Sequence, residues 1–226
     1  MRRTLFLLIV GLGGAAVLVA LGIWQVQRLA WKEAIIADID ARIAAAPVEL
    51  PATPDPQAHA YLPVTLTGRI VRDPLHVLVS QKQVGAGYRV IAPFEAQTGD
   101  TLMVDLGFLP TSAKDTALPD GPLTVTGNLQ WPRETDNFTP DPDRDRNIWF
   151  ARDVPAMAAA LQTRPVLVVA RQVDPTLPGI DALPVDTAAI PNDHMQYAIT
   201  WFSLAALWLA MTVAFLRRRR PSVSES

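Results

Sequence analysis

Cysteine is absent from the 226 residues. That one absence removes disulfides, thiolate metal sites, thiol exchange and cysteine nucleophiles, so any domain placed in an oxidising compartment must be held by its own core. Histidine is scarce, with only His59, His76 and His194. Gly-x-Ser-x-Gly, His-Glu-x-x-His, the phosphate-cradling Gly-x-x-x-x-Gly-Lys and the dinucleotide fingerprint are all missing, as are internal repeats. Asp141-Pro142-Asp143-Arg144-Asp145-Arg146 alternates carboxylates as a calcium loop does. Arg146, however, stands where such a loop needs Gly and Arg152 where it needs Glu, so a solvated loop with Asp–Arg pairs is expected. His59, beside a proline-rich connector, and His76, in an expected strand, are isolated and are given no role. With no catalytic constellation, the chain is expected not to be an enzyme.

Long apolar runs are present. Leu5 to Trp24 and Tyr197 to Leu216 each hold 20 residues without a charge, and at about 1.5 Å per residue each helix would cover roughly 30 Å, the thickness of a bilayer core. The first run exceeds the apolar region of a signal peptide. Trp24-Gln25-Val26-Gln27-Arg28 follows it where a small-residue cleavage site would be expected, so a retained anchor is read. No Arg- and Ser-rich transit segment is visible, which makes a bacterial inner membrane the expected setting. Arg2 and Arg3 flank the first run and Arg217 to Arg220 follow the second, so both termini are expected in the cytoplasm and the middle in the periplasm. Residues 25–196 carry 14 basic against 21 acidic side chains, while the flanks carry 6 against 1. A net negative outer segment argues against nucleic acid as a partner.

The expected fold is that of a membrane protein: two transmembrane α-helices packed together, plus a β-rich α+β periplasmic domain built as an antiparallel small barrel or sandwich. In order, the chain reads as a transmembrane anchor over 1–24, a helical extension over 25–46, a proline-rich connector over 47–63 and the β-rich domain over 64–173. A return linker over 174–191, a second transmembrane helix over 192–216 and a basic cytoplasmic tail over 217–226 complete it. Strands are predicted over 64–70, 75–79, 88–94, 101–108, 123–129 and 166–170, separated by Asp-Pro, Gly-rich and Pro-Asp-Gly turns. The last strand, apolar without alternation, should be central. A short helix is predicted over 154–161 with Asp153 as its cap. Gly11, Gly13, Gly14, Ala15 and Ala16 in the first span, and Ala206, Ala210 and Ala214 in the second, predict close helix contact, with Gly11 and Ala15 at the depth of Ala206 and Ala210.

His194 sits where the polar return segment meets the second apolar run. On a helix, His194, Tyr197 and Trp201 share a face with the imidazole at the wet end, a stripe able to hold a flat ligand. Trp24, Arg28 and Trp31 are expected at the same level, with Arg28 facing an anionic group such as a propionate. The residues alone leave an alternative open: Tyr, Trp, Arg and a hydrated His are ordinary at a lipid–water boundary.

Leu21-Gly22-Ile23-Trp24-Gln25-Val26-Gln27-Arg28-Leu29-Ala30-Trp31-Lys32, Gly87 to Phe94, Phe138-Thr139-Pro140 with Asn147-Ile148-Trp149, and Asn192-Asp193-His194-Met195-Gln196-Tyr197 through Phe202 together resemble the surfeit locus protein 1 family, assembly factors of haem–copper cytochrome c oxidase. Two departures are Asp193, where the family commonly has Asn, and Leu106, where it has Arg. The resemblance implies a membrane-anchored factor that binds haem a as transient cargo, with His194 as axial ligand to the iron, and assists its insertion into oxidase subunit I, with haem a synthase and membrane lipid as further partners. The implied haem site is His194, Tyr197, Trp201, Trp24 and Arg28. The rival reading is a haem-free scaffold that docks oxidase subunits through its periplasmic domain.

Overall fold

The computed structural model describes residues 2–82, 84–188 and 190–218; the basic tail expected over 217–226 lies outside the described residues from Arg219 onward. The chain divides into two compact units, one formed by Met1–Asp38 and Ala188–Ser226, the other by Ile39–Thr187.

The first unit is a pair of helices. Helix α1, Arg2–Ala44, is a single 43-residue helix whose last turns belong to the second unit, because no Pro or turn sequence interrupts Trp24 to Ala44. Helix α3, His194–Arg217, returns antiparallel to it. Both are long and apolar enough to cross a membrane. Large apolar side chains face outward along them, among them Phe6, Ile9, Val17, Ile199 and Leu207, the reverse of a water-soluble helix pair.

The seam between them follows alternating steps of four and three residues. On α1 it uses Gly11, Ala15, Leu18, Gly22, Gln25 and Leu29, and on α3 His194, Ala198, Ala205 and Trp208, all buried or half-buried. A 3.5-residue period is that of a left-handed helix pair. Glycine is required on α1: a Cβ on Gly11 would sit 2.3 Å from Thr212 Cγ2, and one on Gly14 2.6 Å from Trp208 Nε1. The notch they leave admits the Trp208 indole, whose Nε1–H donates to the Gly11 carbonyl at 3.0 Å. The two helices pack on each other as expected, but the expected Ala206, Ala210 and Ala214 stripe is exposed. Turning that stripe inward would take Trp208 out of the notch and leave its donor unpaired in an apolar setting.

The second unit is a seven-stranded sheet with β1 Val48–Glu49, β2 Pro63–Ile70, β3 Leu75–Gln81, β4 Gly85–Ala96, β5 Thr101–Pro110, β6 Leu123–Gln130 and β7 Leu167–Asp174. The strand order is β1-β2-β6-β7-β5-β4-β3, and a further β2–β4 pairing closes five strands into a ring. Alternate residues of all five ring strands, such as Val64, Phe94, Val104, Val125 and Val168, feed one core inside it. The opposite faces of β4, β5 and β7 pack against helix α2, Val154–Leu161, through Ile91, Met103, Leu167, Met157 and Leu161. Asp153 caps α2 as predicted, accepting from the Ala156 amide at 3.0 Å. The barrel expectation needs one correction: the sheet is mixed, with β5–β7 and β1–β2 parallel. The long crossover through residues 111–166, carrying β6 and α2, brings β7 beside β5 in the same direction, and a connection of that length permits parallel pairing. The connector read as extended contributes β1, and the return segment pairs Asp181 with Phe108. β7 is central, as its apolar run predicted.

A charged network lies within this unit. Asp105 is fully buried and bonded to Arg89 Nη1 at 2.7 Å, with Arg152 Nη1 at 3.6 Å; Arg152 also pairs with Glu134. Burial pushes the Asp105 carboxyl up, and the two guanidiniums pull it back. Desolvation also pushes Glu134 up, but the hydrogen bonds and charge of Arg152 outweigh it and hold the group below its ordinary value. His76 is buried as well; its ring stands edge-on to Tyr88 at 5.5 Å between centroids, and Asn147 Nδ2 donates to its Nδ1 at 3.2 Å. Burial lowers its pKa, Lys114 lowers it further and Asp115 opposes.

Gly14→Leu is expected to destabilise the helix pair of the full chain in detergent by about 1–3 kcal/mol through overpacking, whereas Gly13→Leu, with open space at its Cβ, leaves the thermal midpoint unchanged. Asp105→Ala removes the carboxylate partner of the largely buried Arg89, while Arg152 keeps Glu134, and should cost roughly 3–5 kcal/mol in denaturant unfolding. Because the folded-state value of His76 is depressed, the unfolded chain takes up the proton first. Stability is therefore full above about pH 6.5 and falls as pH drops below it toward the folded value. A thermal series from pH 7.5 to 5.5 should show that fall, and His76→Gln should flatten it.

Candidate functional site

Within the helix-pair unit, polar chemistry converges at the first turn of α3. Asp193 precedes the helix with φ −92° and ψ 8°, and His194 is its first residue. A histidine at that position projects toward whatever the facing helix presents at the same level. On α1 the seam at that level is Gln25, one step beyond Gly22 and one before Leu29, and only 8% exposed. His194 Nδ1 lies 2.8 Å from Gln25 Oε1.

This contact assigns the proton. An amide oxygen only accepts, so Nδ1 must carry the hydrogen and donate it. In the neutral ring the other nitrogen, Nε2, then holds the lone pair. The remaining two histidines are arranged the opposite way. His59 Nδ1 accepts from the Asp55 backbone N–H at 2.9 Å, and His76 Nδ1 accepts from Asn147 Nδ2, so in both the proton is on Nε2. His194 is thus the histidine whose outward nitrogen is set up as an electron-pair donor. Asn192, two residues earlier, has a buried Oδ1 with no hydrogen-bond partner among the described residues, an acceptor left open beside the same turn.

The other residues expected to share the site are distributed more widely. Trp201 is half-buried on the seam face with His194 and Ala198. Tyr197 is 55% exposed and Trp24 51% exposed, both turned off the seam. Arg28 is exposed and stacks its guanidinium over the Trp31 ring at 4.3 Å, a cation–π contact that leaves its N–H edges available. The structure therefore puts His194 and Trp201 on one face and leaves Tyr197, Trp24 and Arg28 exposed off it. It also brings to His194 a residue outside the set expected from the sequence, Gln25. Its signal was a lone polar side chain in register with Gly11, Ala15, Leu18 and Gly22.

Two apolar grooves run along the pair. One, of about 410 Å³, is lined by Gly14, Val17, Leu18, Leu204, Leu207, Trp208 and Met211. The other, of about 200 Å³, is lined by Leu7, Val10, Gly11, Trp208, Met211, Thr212 and Phe215. The first starts at Leu204, ten residues beyond His194 and so roughly 15 Å along the helix at 1.5 Å per residue.

The arrangement can bind, through one imidazole nitrogen, a metal that brings its other ligands with it. Among the described residues no group of three or more His, Asp or Glu side chains is disposed to cage a metal ion. Comparison with known proteins agrees with the motifs at both ends of the chain. The model of the SURF1 family matches residues 12–206. A SURF1-like protein of Monosiga brevicollis is 33% identical over 219 residues, covering 88% of this chain and 83% of that protein. Surfeit locus protein 1 of Rattus norvegicus is 30% identical over 229 residues, covering 90% and 73%, and that of Homo sapiens is 30% identical over 210 residues, covering 82% and 69%. With the match running from the first apolar helix into the second, the chain belongs to the SURF1 family.

Proposed function

We propose that this chain is a membrane-anchored, non-catalytic assembly factor for haem–copper cytochrome c oxidase, which takes up haem a through His194 and assists its insertion into oxidase subunit I. The observation that carries the reading is the Nδ1–H to Gln25 contact at the polar end of an apolar helix pair, which in the neutral ring leaves the lone pair on Nε2. Neutral imidazole is a common haem iron ligand. A porphyrin supplies four ligands of its own, so a single protein nitrogen is enough, and Trp201 and Tyr197 offer ring surface beside it. Arg28 and Trp24 lie on the same end of the pair, where propionates need a cation. Haem a is cargo in this reading, and a ligand held by one nitrogen at an open helix surface can also be released.

The setting that suits this role is a bacterial inner membrane, with both termini cytoplasmic, the sheet domain periplasmic, and haem a synthase as the supplier. Arg2, Arg217 and Arg218 at the same ends of the two apolar helices support that orientation. The rival reading, a haem-free scaffold that docks oxidase subunits, finds support in Phe138. This side chain is 91% exposed at the tip of a turn fixed by hydrogen bonds from Phe138 N and Thr139 Oγ1 to Asp136 Oδ1, the form of an anchor offered to a partner protein.

Coexpression with a haem a synthase followed by purification in mild detergent is expected to yield a haem a absorption spectrum in the wild type and loss of most of it in His194→Ala. Equal haem in the two, or none in either, defeats the haem reading. Assembly of oxidase that survives His194→Ala and fails in Phe138→Ala would favour the scaffold.

A further inference from the structure

The seam residue Gln25 has no part in the family resemblance beyond its place in a motif, yet among the described residues it makes the one polar contact of the His194 side chain. Two ordinary explanations compete for such a pair. A Gln and a His facing each other across two apolar helices satisfy each other's hydrogen bonds, and that alone favours helix association. If this were the whole of it, either nitrogen of the ring could serve. The geometry is more specific, because it is the amide oxygen that meets the ring, and it meets Nδ1.

A free neutral histidine in water favours the proton on Nε2. His59 and His76 of this chain keep that form, each through a donor placed on Nδ1. At His194 the form is reversed by an acceptor. We propose that Gln25 is the positioning residue of the cargo site: by accepting from Nδ1–H it fixes the ring plane, holds the proton away from Nε2 and raises the electron-donating power of that nitrogen toward a metalloporphyrin. This rests on the reading of His194 as the haem-binding residue. A hydrogen bond to the far nitrogen of a ligating imidazole acts in this way generally, and loss of such a partner typically lowers metal affinity by about 10–100-fold. The burial of Gln25 serves the same end, since water competing for Nδ1–H would free the ring to turn.

The test uses the full chain in lipid nanodiscs with ¹⁵N-labelled histidine, His194 being assigned by its disappearance in His194→Ala. Long-range nitrogen–proton correlation in the haem-free protein should show His194 protonated at Nδ1 with a lone pair on Nε2. In Gln25→Met, close in size but without the acceptor, the proton should move to Nε2. A wild-type ring protonated at Nε2, or the same tautomer in wild type and Gln25→Met, overturns the proposal, and the wild-type spectrum decides even if the variant does not fold. On coexpression with haem a synthase, Gln25→Met should lose haem affinity by about 10–100-fold. Gln25→Glu, which keeps the acceptor and strengthens it, should retain haem at a lower midpoint potential. Unchanged affinity and potential in both variants would reduce Gln25 to a helix clamp. Haem retained in His194→Ala would defeat the haem reading while the tautomer measurement still stood or fell by itself.

Discussion

The helix-pair unit depends on how closely two backbones can approach where apolar association gains little. Among lipid tails, or any apolar surrounding, there is no hydrophobic drive between helices, so contact must come from close packing and from polar groups that have nowhere else to bond. Gly11, Gly14 and Gly22 give the approach, since a Cβ at any of them would collide with Thr212, Trp208 or Phe202. Two polar contacts lie along the same seam. Trp208 donates to the Gly11 carbonyl near one end, and His194 donates to Gln25 near the other. Each pairs a group that would be costly to leave open. The second does more, because pairing a histidine in this way also selects which of its nitrogens is left to bind something else.

The sheet unit solves a different problem. Five of its seven strands are eight to twelve residues long and β3 is seven, and open edges of that length invite pairing with other chains. The β2–β4 pairing closes five strands into a ring and leaves only β3 and the two-residue β1 outside it. Closure buries one face of every ring strand, and α2 covers part of the other. The charged network of Asp105, Arg89, Arg152 and Glu134 then ties β4 and β5 to the segment between β6 and α2. Arg89 also reaches the Leu183 carbonyl of the return segment at 3.2 Å. At the start of the unit, Asn128 donates to the carbonyl of Ile43 in the last turn of α1 and to that of Tyr61. Long irregular connections are thereby held to the sheet by side chains that reach their backbone carbonyls.

Much of this was legible in the order of residues. Six strands fell within a few residues of their predicted spans, because the turns between them are marked by Gly, Pro and Asp with well-defined conformational roles. Helix α2 was found with its cap, since Asp followed by a proline in the first turn is a local signature. Of the candidate site, His194 was legible as the one histidine at the mouth of an apolar run. Gln25 was not, although it carries as much of the geometry. A glutamine near the end of a span has many ordinary reasons to be there, and only its partner, 169 residues away, gives it meaning.

What the sequence by itself determined is everything set by short range: two apolar helices of membrane-spanning length, a run of turn-bounded strands, one capped helix, and motifs shared with a family across most of the chain. The tertiary structure alone decided which faces meet. A helix rotates by about 100° per residue, so the Ala206, Ala210 and Ala214 stripe and the neighbouring Ala198, Ala205 and Trp208 stripe were equally good by composition. The fit of one indole into a glycine notch chose between them. Likewise β7 could be placed at the centre from its apolar run, but its parallel pairing with β5 and the closing of the ring follow from contacts between segments far apart in the chain, which no local pattern encodes.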